Sequence, residues 1–238
     1  MNFDNPTIAF VTGANRGIGA ALVDALLTAG ATKVYAGVRD AAAYRAPSPK
    51  VTAVALDVTD PESCERAAKE AGDVNLLINN AGTLASFDVL DMAMESFDLD
   101  LATNFFGPLH MARAFVPVLR RGTDPALVNV LTVLSVASMP GMGGYAASKA
   151  ATWSLTMSLR HRLAADGIRV HGVFPGPVDT DMLADVQMPK TPPSAVAGAI
   201  VRGVIERTED IAPDPMSEQV LGTFMSDPKA VERQFGAM

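Results

Sequence analysis

The sequence predicts a doubly wound α/β fold, one parallel β-sheet with helices on both faces, in a single domain over residues 1–238. Three observations predict it. Six short apolar runs recur along the chain without polar alternation, as expected of strands covered on both faces. Segments with a helical apolar period separate these runs. A glycine-rich turn joins the first run to the first helix. A chain of 238 residues is long enough for one domain with a sizeable core.

The elements follow in order. The strand candidates are Thr7–Thr12 (TIAFVT), Lys33–Val38 (KVYAGV), Val51–Leu56 (VTAVAL), Asn75–Asn79 (NLLIN), Ala126–Thr132 (ALVNVLT) and Ile168–Phe174 (IRVHGVF). Between the first two, Ile18, Leu22, Leu26 and Ala29 recur every three or four residues, and Gly30 stops that helix. Pro61 opens another helix at a favourable first-turn position. Longer helices are expected over Met94–Leu119 and Gly143–Ala165. The strand–helix alternation implies the doubly wound sheet. After Pro175 the chain changes character. Prolines 175, 177, 189, 192, 193, 213 and 215 interrupt it, which predicts loops and short helices over a sheet edge, acting as a lid.

Composition narrows the function. Lys and Arg total 19 against 26 Asp and Glu, a net charge of −7, which argues against nucleic acid or an anionic membrane as partner. The lone cysteine, Cys64, excludes an internal disulfide framework and a CxxC zinc site, and no metal ligand set is evident. It reads as a small filler residue in a helix. The start MNFDNPTIAF lacks a basic region and a long apolar run, and no stretch reaches the ~18 apolar residues of a membrane span. A cytoplasmic, reducing location is expected. His110, His161 and His171 are scattered and share no motif. GxSxG, Walker A and HExxH motifs are absent, so hydrolase, kinase and zinc-protease readings lack support.

Thr12-Gly13-Ala14-Asn15-Arg16-Gly17-Ile18-Gly19 follows the first strand directly and leads into the first helix. Glycines allow a tight turn and close backbone approach, and the helix N-terminus offers free N–H groups and a positive dipole end. A pyrophosphate is the fitting ligand. The spacing is G-x-x-x-G-x-G rather than G-x-G-x-x-G.

With Asn79-Asn80-Ala81-Gly82, Tyr145-Ala-Ala-Ser-Lys149 and Pro175-Gly176-Pro177-Val178-Asp179-Thr180 in register, the chain resembles the short-chain dehydrogenase/reductase (SDR) family over roughly residues 7–182. The resemblance implies a Rossmann-type NAD(P)-binding domain. The dinucleotide part would cover about 7–140 and the catalytic and lid part about 141–238. It implies that Gly13, Asn15, Arg16, Gly17, Ile18 and Gly19 hold the pyrophosphate. Asp57 and Val58 would meet the adenine, and Asn80, Ala81 and Gly82 would flank the cofactor. Pro175, Gly176, Val178 and Thr180 would do so at the nicotinamide end.

Tyr145 and Lys149 are four residues apart in a helical stretch and share one face. A free tyrosine titrates near ~10, and an adjacent ammonium is expected to lower that value. Tyr145 can then exchange a proton with a carbonyl or alcohol oxygen. Lys149 would also hold the cofactor ribose, as the resemblance implies. The family's serine, thirteen residues before the tyrosine, is Thr132 here. Its hydroxyl can donate to a substrate oxygen, while its methyl takes space. Ser135 is the competing hydroxyl and Ser138 a distant third. Asn104 matches the family's fourth catalytic residue. Pro108, four positions on, removes the helix partner of its carbonyl, which is expected to be free to hold a water that links Lys149 to solvent.

NAD-binding relatives usually carry an acid where Val38 stands, and none is here. Arg39 follows, and with Arg16 it would clamp a 2′-phosphate, so NADP(H) is expected over NAD(H), with Asp40 a mild complication. The expected reaction is hydride transfer between NADP(H) and a small-molecule carbonyl or alcohol. The alternative is an SDR-fold nucleotide-binding sensor without turnover. Met182, Leu183, Val186 and Met188 in the tail, with Asp181, Asp185 and Lys190 the charged exceptions, predict a neutral, fairly apolar aldehyde or ketone. A homodimer or homotetramer is expected through the two long helices, with the Ala- and Met-rich stretch Ala146–Leu159 at the contact.

Overall fold

The computed structural model describes residues 6–238. Seven strands form one parallel sheet: β1 (Ile8–Thr12), β2 (Lys33–Val38), β3 (Val51–Ala55), β4 (Leu76–Asn79), β5 (Ala126–Val130), β6 (Arg169–Val173) and β7 (Asp210–Ile211). Their order is β3-β2-β1-β4-β5-β6-β7. The order reverses beside β1, which pairs with both β2 and β4, and that switch point opens a crevice at the strand C-terminal ends. Each apolar run predicts its strand to within two residues. β7, two residues long, carries no pattern to read.

Alternate residues of the central strands enter different cores. Val11, Ile78 and Val128 face α1 (Gly17–Thr28) and α6 (Pro193–Glu206), packing with Leu22, Leu26, Ile200 and Val204. Phe10, Leu77 and Leu127 face α2 (Pro61–Glu70) and α4 (Gly107–Leu119), packing with Met111, Phe115 and Leu119. Double-sided burial is the physical reason these strands lack polar alternation.

The expected long helix over Met94–Leu119 is divided. α3 (Met94–Asp100) passes into a π-helical turn (Leu101–Phe106) before α4 begins. Within that turn the Gly107 N–H reaches the Ala102 carbonyl, five residues back. Pro108 has no N–H to give Asn104, so the ordinary α ladder fails at this point. α5 (Gly143–Leu163) runs beside the π turn.

The tail is more ordered than its prolines suggest. Pro193, Pro215 and Pro228 each open a helix, namely α6, α7 (Pro215–Ser226) and α8 (Pro228–Gly236). Asp214 and Asp227 cap the last two. α6 buries Val196, Ala197, Ile200 and Val204, so it belongs to the sheet's core rather than to a lid. Among the described residues, no helix is long and apolar enough to cross a membrane.

Candidate active site

A cleft of about 1210 Å3 lies at the C-terminal ends of the strands. Its floor is the loop after β1. Gly13 has φ +66°, and a Cβ there would sit 3.0 Å from the Cα of Ala81. A Cβ at Gly19 would lie 2.1 Å from the Gly13 carbonyl oxygen, so only glycine lets α1 start against its own loop. Gly13, Asn15, Arg16, Gly17 and Ile18 line the cleft, whereas Gly19 is buried behind it. No side chain caps the N-terminus of α1, which leaves its N–H groups for an anion. The second asparagine of the NNAG segment fastens this loop. Asn80 Nδ2 donates to the carbonyls of Thr12 (3.0 Å) and Gly13 (3.3 Å). Thr12 Oγ1 accepts the N–H groups of Asn80 and Ala81, both at 2.9 Å.

Arg39, Asp57 and Val58 line the cleft after β2 and β3. Asp57 accepts the N–H (2.9 Å) and the hydroxyl (2.7 Å) of Thr59. Those bonds hold its carboxyl below the usual range against the opposing effect of burial, with the Arg39 charge assisting. Arg45 and Tyr44 also line the cleft. The sequence reading missed them, because they lie in an irregular stretch after β2 with no motif. Arg16 donates to Asp181 of the tail at 3.1 Å.

Tyr145 and Lys149 line the cleft too, one turn apart on α5. Lys149 Nζ lies 5.9 Å from the Tyr145 ring centroid and donates to the Val130 carbonyl at 3.0 Å. Burial lowers Lys149 to about 8. The expected lowering of Tyr145 does not occur. Burial raises it, and the negative charge of Asp100 adds to the rise.

The two hydroxyl candidates separate. Thr132 lines the cleft. Its Oγ1 accepts the Leu134 N–H at 3.3 Å. Ser135 does not line the cleft, because its Oγ accepts the Thr132 N–H at 3.2 Å and completes a capping box. Ser138 lies outside the cleft as well. Asn104 is buried behind the cleft wall, next to Gly82. Its amide Nδ2 donates to the Thr83 carbonyl and the Ser148 hydroxyl, both at 3.0 Å, and its Oδ1 accepts the Thr83 N–H at 2.9 Å. Pro108 predicts a free Asn104 carbonyl that holds a water, but the carbonyl has a side-chain partner instead. Thr152 Oγ1 donates to it at 2.7 Å.

Pro175, Gly176, Val178 and Thr180 all line the cleft. Asp214 holds this loop by accepting the Gly176 N–H at 2.8 Å. None of the three histidines lines the cleft. His171 is buried with Nδ1 against the Thr208 carbonyl at 2.6 Å. Burial pushes the Cys64 thiol up to about 12, so it behaves as core filler. No metal-ligand cluster occurs among the described residues. The glycine cradle, the uncapped helix end and the arginines of the cleft fit a nicotinamide dinucleotide.

The short chain dehydrogenase family model matches residues 7–190. The chain is 37% identical over 195 residues to 1-deoxy-11-beta-hydroxypentalenate dehydrogenase of Streptomyces exfoliatus, covering 76% of this chain and 71% of that protein. It is 31% identical over 212 residues to the 3-oxoacyl-[acyl-carrier-protein] reductase FabG of Vibrio cholerae, covering 84% and 86%. A short chain dehydrogenase from Burkholderia cenocepacia J2315, solved in complex with NADP, superposes with a TM-score of 0.93 at 36% identity, over 99% of both chains.

Proposed function

The chain belongs to the short chain dehydrogenase family, an NAD(P)-dependent oxidoreductase of CH–OH groups, and from that premise we propose that it transfers a hydride between NADP(H) and a neutral, apolar aldehyde or ketone, with Tyr145 exchanging the proton. One observation carries this reading: Tyr145 and Lys149 face the same cleft that the uncapped end of α1 and its glycine loop open into.

When bound, the nicotinamide supplies or accepts the hydride. The chain's residues handle the rest. Thr132 Oγ1 would donate to the substrate oxygen and align the carbonyl. As the carbonyl carbon gains the hydride, its oxygen becomes an alkoxide and takes the Tyr145 proton. Burial raises Tyr145, so it stands as a neutral phenol at neutral pH and can give its proton to the alkoxide. Lys149, cationic at neutral pH, would hold the ribose and favour the phenolate left behind.

Two further parts of the reading rest on the lining. Met139, Met142, Met182, Met188 and Met216 surround the tail side of the cleft with Leu134, Leu183 and Val186. Such a wall is apolar and adaptable, which supports a neutral substrate accepted with loose selectivity. Arg39 and Arg45 beside Asp57, with Arg16 of the phosphate loop, support a 2′-phosphate, hence NADP(H). The NADP complex of the Burkholderia neighbour agrees with this choice. A cytoplasmic homodimer or homotetramer, paired through α4 and α5, completes the proposal. The alternative of a sensor without turnover has no observation in its favour.

Absorbance at 340 nm tests the reading, using NADPH and a panel of aldehydes and ketones. Oxidation of NADPH with apolar carbonyls is expected. No turnover with any of them, or a kcat/KM far higher for an anionic substrate, would overturn it.

A further inference from the structure

Among the described residues, the aromatic side chains that line the cleft are those of Tyr44, Tyr145 and Phe235. Phe235 belongs to α8 and is 4% exposed. It shares an apolar core with Val133, Leu134, Val220 and Val231, and Tyr145, Met139 and Met142 pack against that core. Phe235 therefore stands on the Tyr145 side of the cleft. Its helix is held in place, because α8 packs on α7 and the Asp227 side chain caps its first turn.

The rest of the wall on this side is of a different kind. Leu134, Met139, Met142 and Met216 line the cleft with Phe235. Methionine is unbranched and refits around a guest molecule. A phenyl ring fixed in a packed core cannot shorten, and it moves only by disturbing its neighbours. On such a wall the size of one residue decides what fits. The chemistry of the wall is equally narrow. Of α7 and α8, only Met216 and Phe235 line the cleft, while Glu218, Lys229, Glu232 and Arg233 are exposed and turned away from it. What lies against Phe235 must therefore be hydrocarbon.

We propose that Phe235 is a specificity-determining residue that sets how long an apolar chain the substrate can carry. The carbonyl sits at Tyr145, and the chain attached to it runs along Leu134 and the methionines until it meets the Phe235 ring. The substrate class is a straight-chain apolar aldehyde or ketone, accepted loosely in shape but with an upper limit on length. This deepens the function proposed above and rests on its placing of the carbonyl at Tyr145.

The test reads binding rather than turnover. Full-length protein loaded with NADPH is titrated with straight-chain primary alcohols from butanol to dodecanol, which cannot be oxidised while the cofactor is reduced. The signals of 13C-methyl methionine report affinity, with Met142→Leu and Met216→Leu identifying two of them. Affinity is expected to rise by roughly fourfold per added methylene until the chain reaches Phe235, and then to stop rising. Phe235→Leu should move this break to a longer alcohol and Phe235→Trp to a shorter one. A break at the same length in all three proteins would overturn the proposal, as would affinity without a break or no binding at any length. Should a variant fail to fold, the unaltered sequence decides. At the break length, the terminal methyl of the alcohol should show a nuclear Overhauser contact with the Phe235 ring, and its absence refutes the assignment. A failure of the hydride-transfer reading shows separately, as absent NADPH oxidation with every carbonyl.

Discussion

Arg16 of the phosphate loop meets Asp181 of the tail through an Nη1–Oδ2 contact of 3.1 Å, and both residues line the cleft. The two side chains are 63% and 75% exposed, so the contact is weak and salt-sensitive. Arg16 therefore divides its charge between the tail and any phosphate in the cleft, while Arg39 makes no ion pair among the described residues. A charge-assisted bond to phosphate is worth ~1.5–3 kcal/mol. Arg39→Ala should weaken NADPH binding by roughly tenfold or more and hardly touch NADH. Asp181→Asn should release Arg16 and tighten NADPH, an effect that fades in high salt. Fluorescence titration with both cofactors measures this, and equal losses for NADPH and NADH on removing Arg39 would sink the assignment.

Tyr145→Phe removes one hydroxyl and leaves the ring packed. Turnover should fall by orders of magnitude while NADPH affinity stays nearly unchanged. Near-normal turnover would exclude Tyr145 as the proton donor.

The pH dependence follows from Lys149. Burial depresses it from the usual lysine value to about 8, so it is cationic below that pH and neutral above. The ammonium favours the phenolate that proton donation leaves behind, so kcat/KM for reduction should be level below pH 8 and decline as pH rises through it. A rate that climbs through that window would contradict the proposed roles.

Thr132 and Ser135 call for opposite expectations. Thr132→Ala removes a hydroxyl from the cleft wall and should lower kcat strongly. Ser135→Ala removes a cap behind the wall and should cost stability, ~0.5–2 kcal/mol, more than rate. Steady-state kinetics with urea unfolding separates them, and an inactive but stable Ser135→Ala protein would reverse the assignment.

The sheet was legible because each central strand buries both faces and must be apolar throughout. The phosphate loop was legible because its glycines answer steric demands within a few residues. What the sequence hid depends on contacts between distant elements. Pro108 signals a break, yet nothing local tells that Thr152 of α5 takes the released carbonyl. Tyr145 and Lys149 are spaced for a helix face, but the desolvation that raises the one and lowers the other comes from the packed site. Asp100 looks like any acid at a helix end, and the Thr83 and Ser86 hydroxyls that donate to it lie 17 and 14 positions earlier in the chain. Ser135 is turned to a capping bond three residues back, which no local pattern announces.

The Thr152–Asn104 bond carries the last prediction. The Thr152 hydroxyl lies 2.7 Å from the Asn104 carbonyl and 2.9 Å from the Ser148 carbonyl. Ser148 already receives the helical N–H of Thr152, so the single hydroxyl proton serves the shorter contact, to Asn104. Asn104 is fully buried, and Pro108 offers it no N–H. Thr152 also accepts at its own carbonyl the Thr156 hydroxyl, at 2.7 Å, and Thr156 accepts from Asn129, which accepts from Asn79 of β4. A buried polar chain thus runs from the sheet to the π turn behind Lys149. Thr152→Val keeps the shape and deletes the donor, leaving a buried carbonyl unpaired at a cost of ~1–3 kcal/mol. Thr152→Ser keeps the hydroxyl and should recover most of that loss. Urea unfolding of the two variants decides the matter: equal midpoints would show that the Asn104 carbonyl does not depend on Thr152.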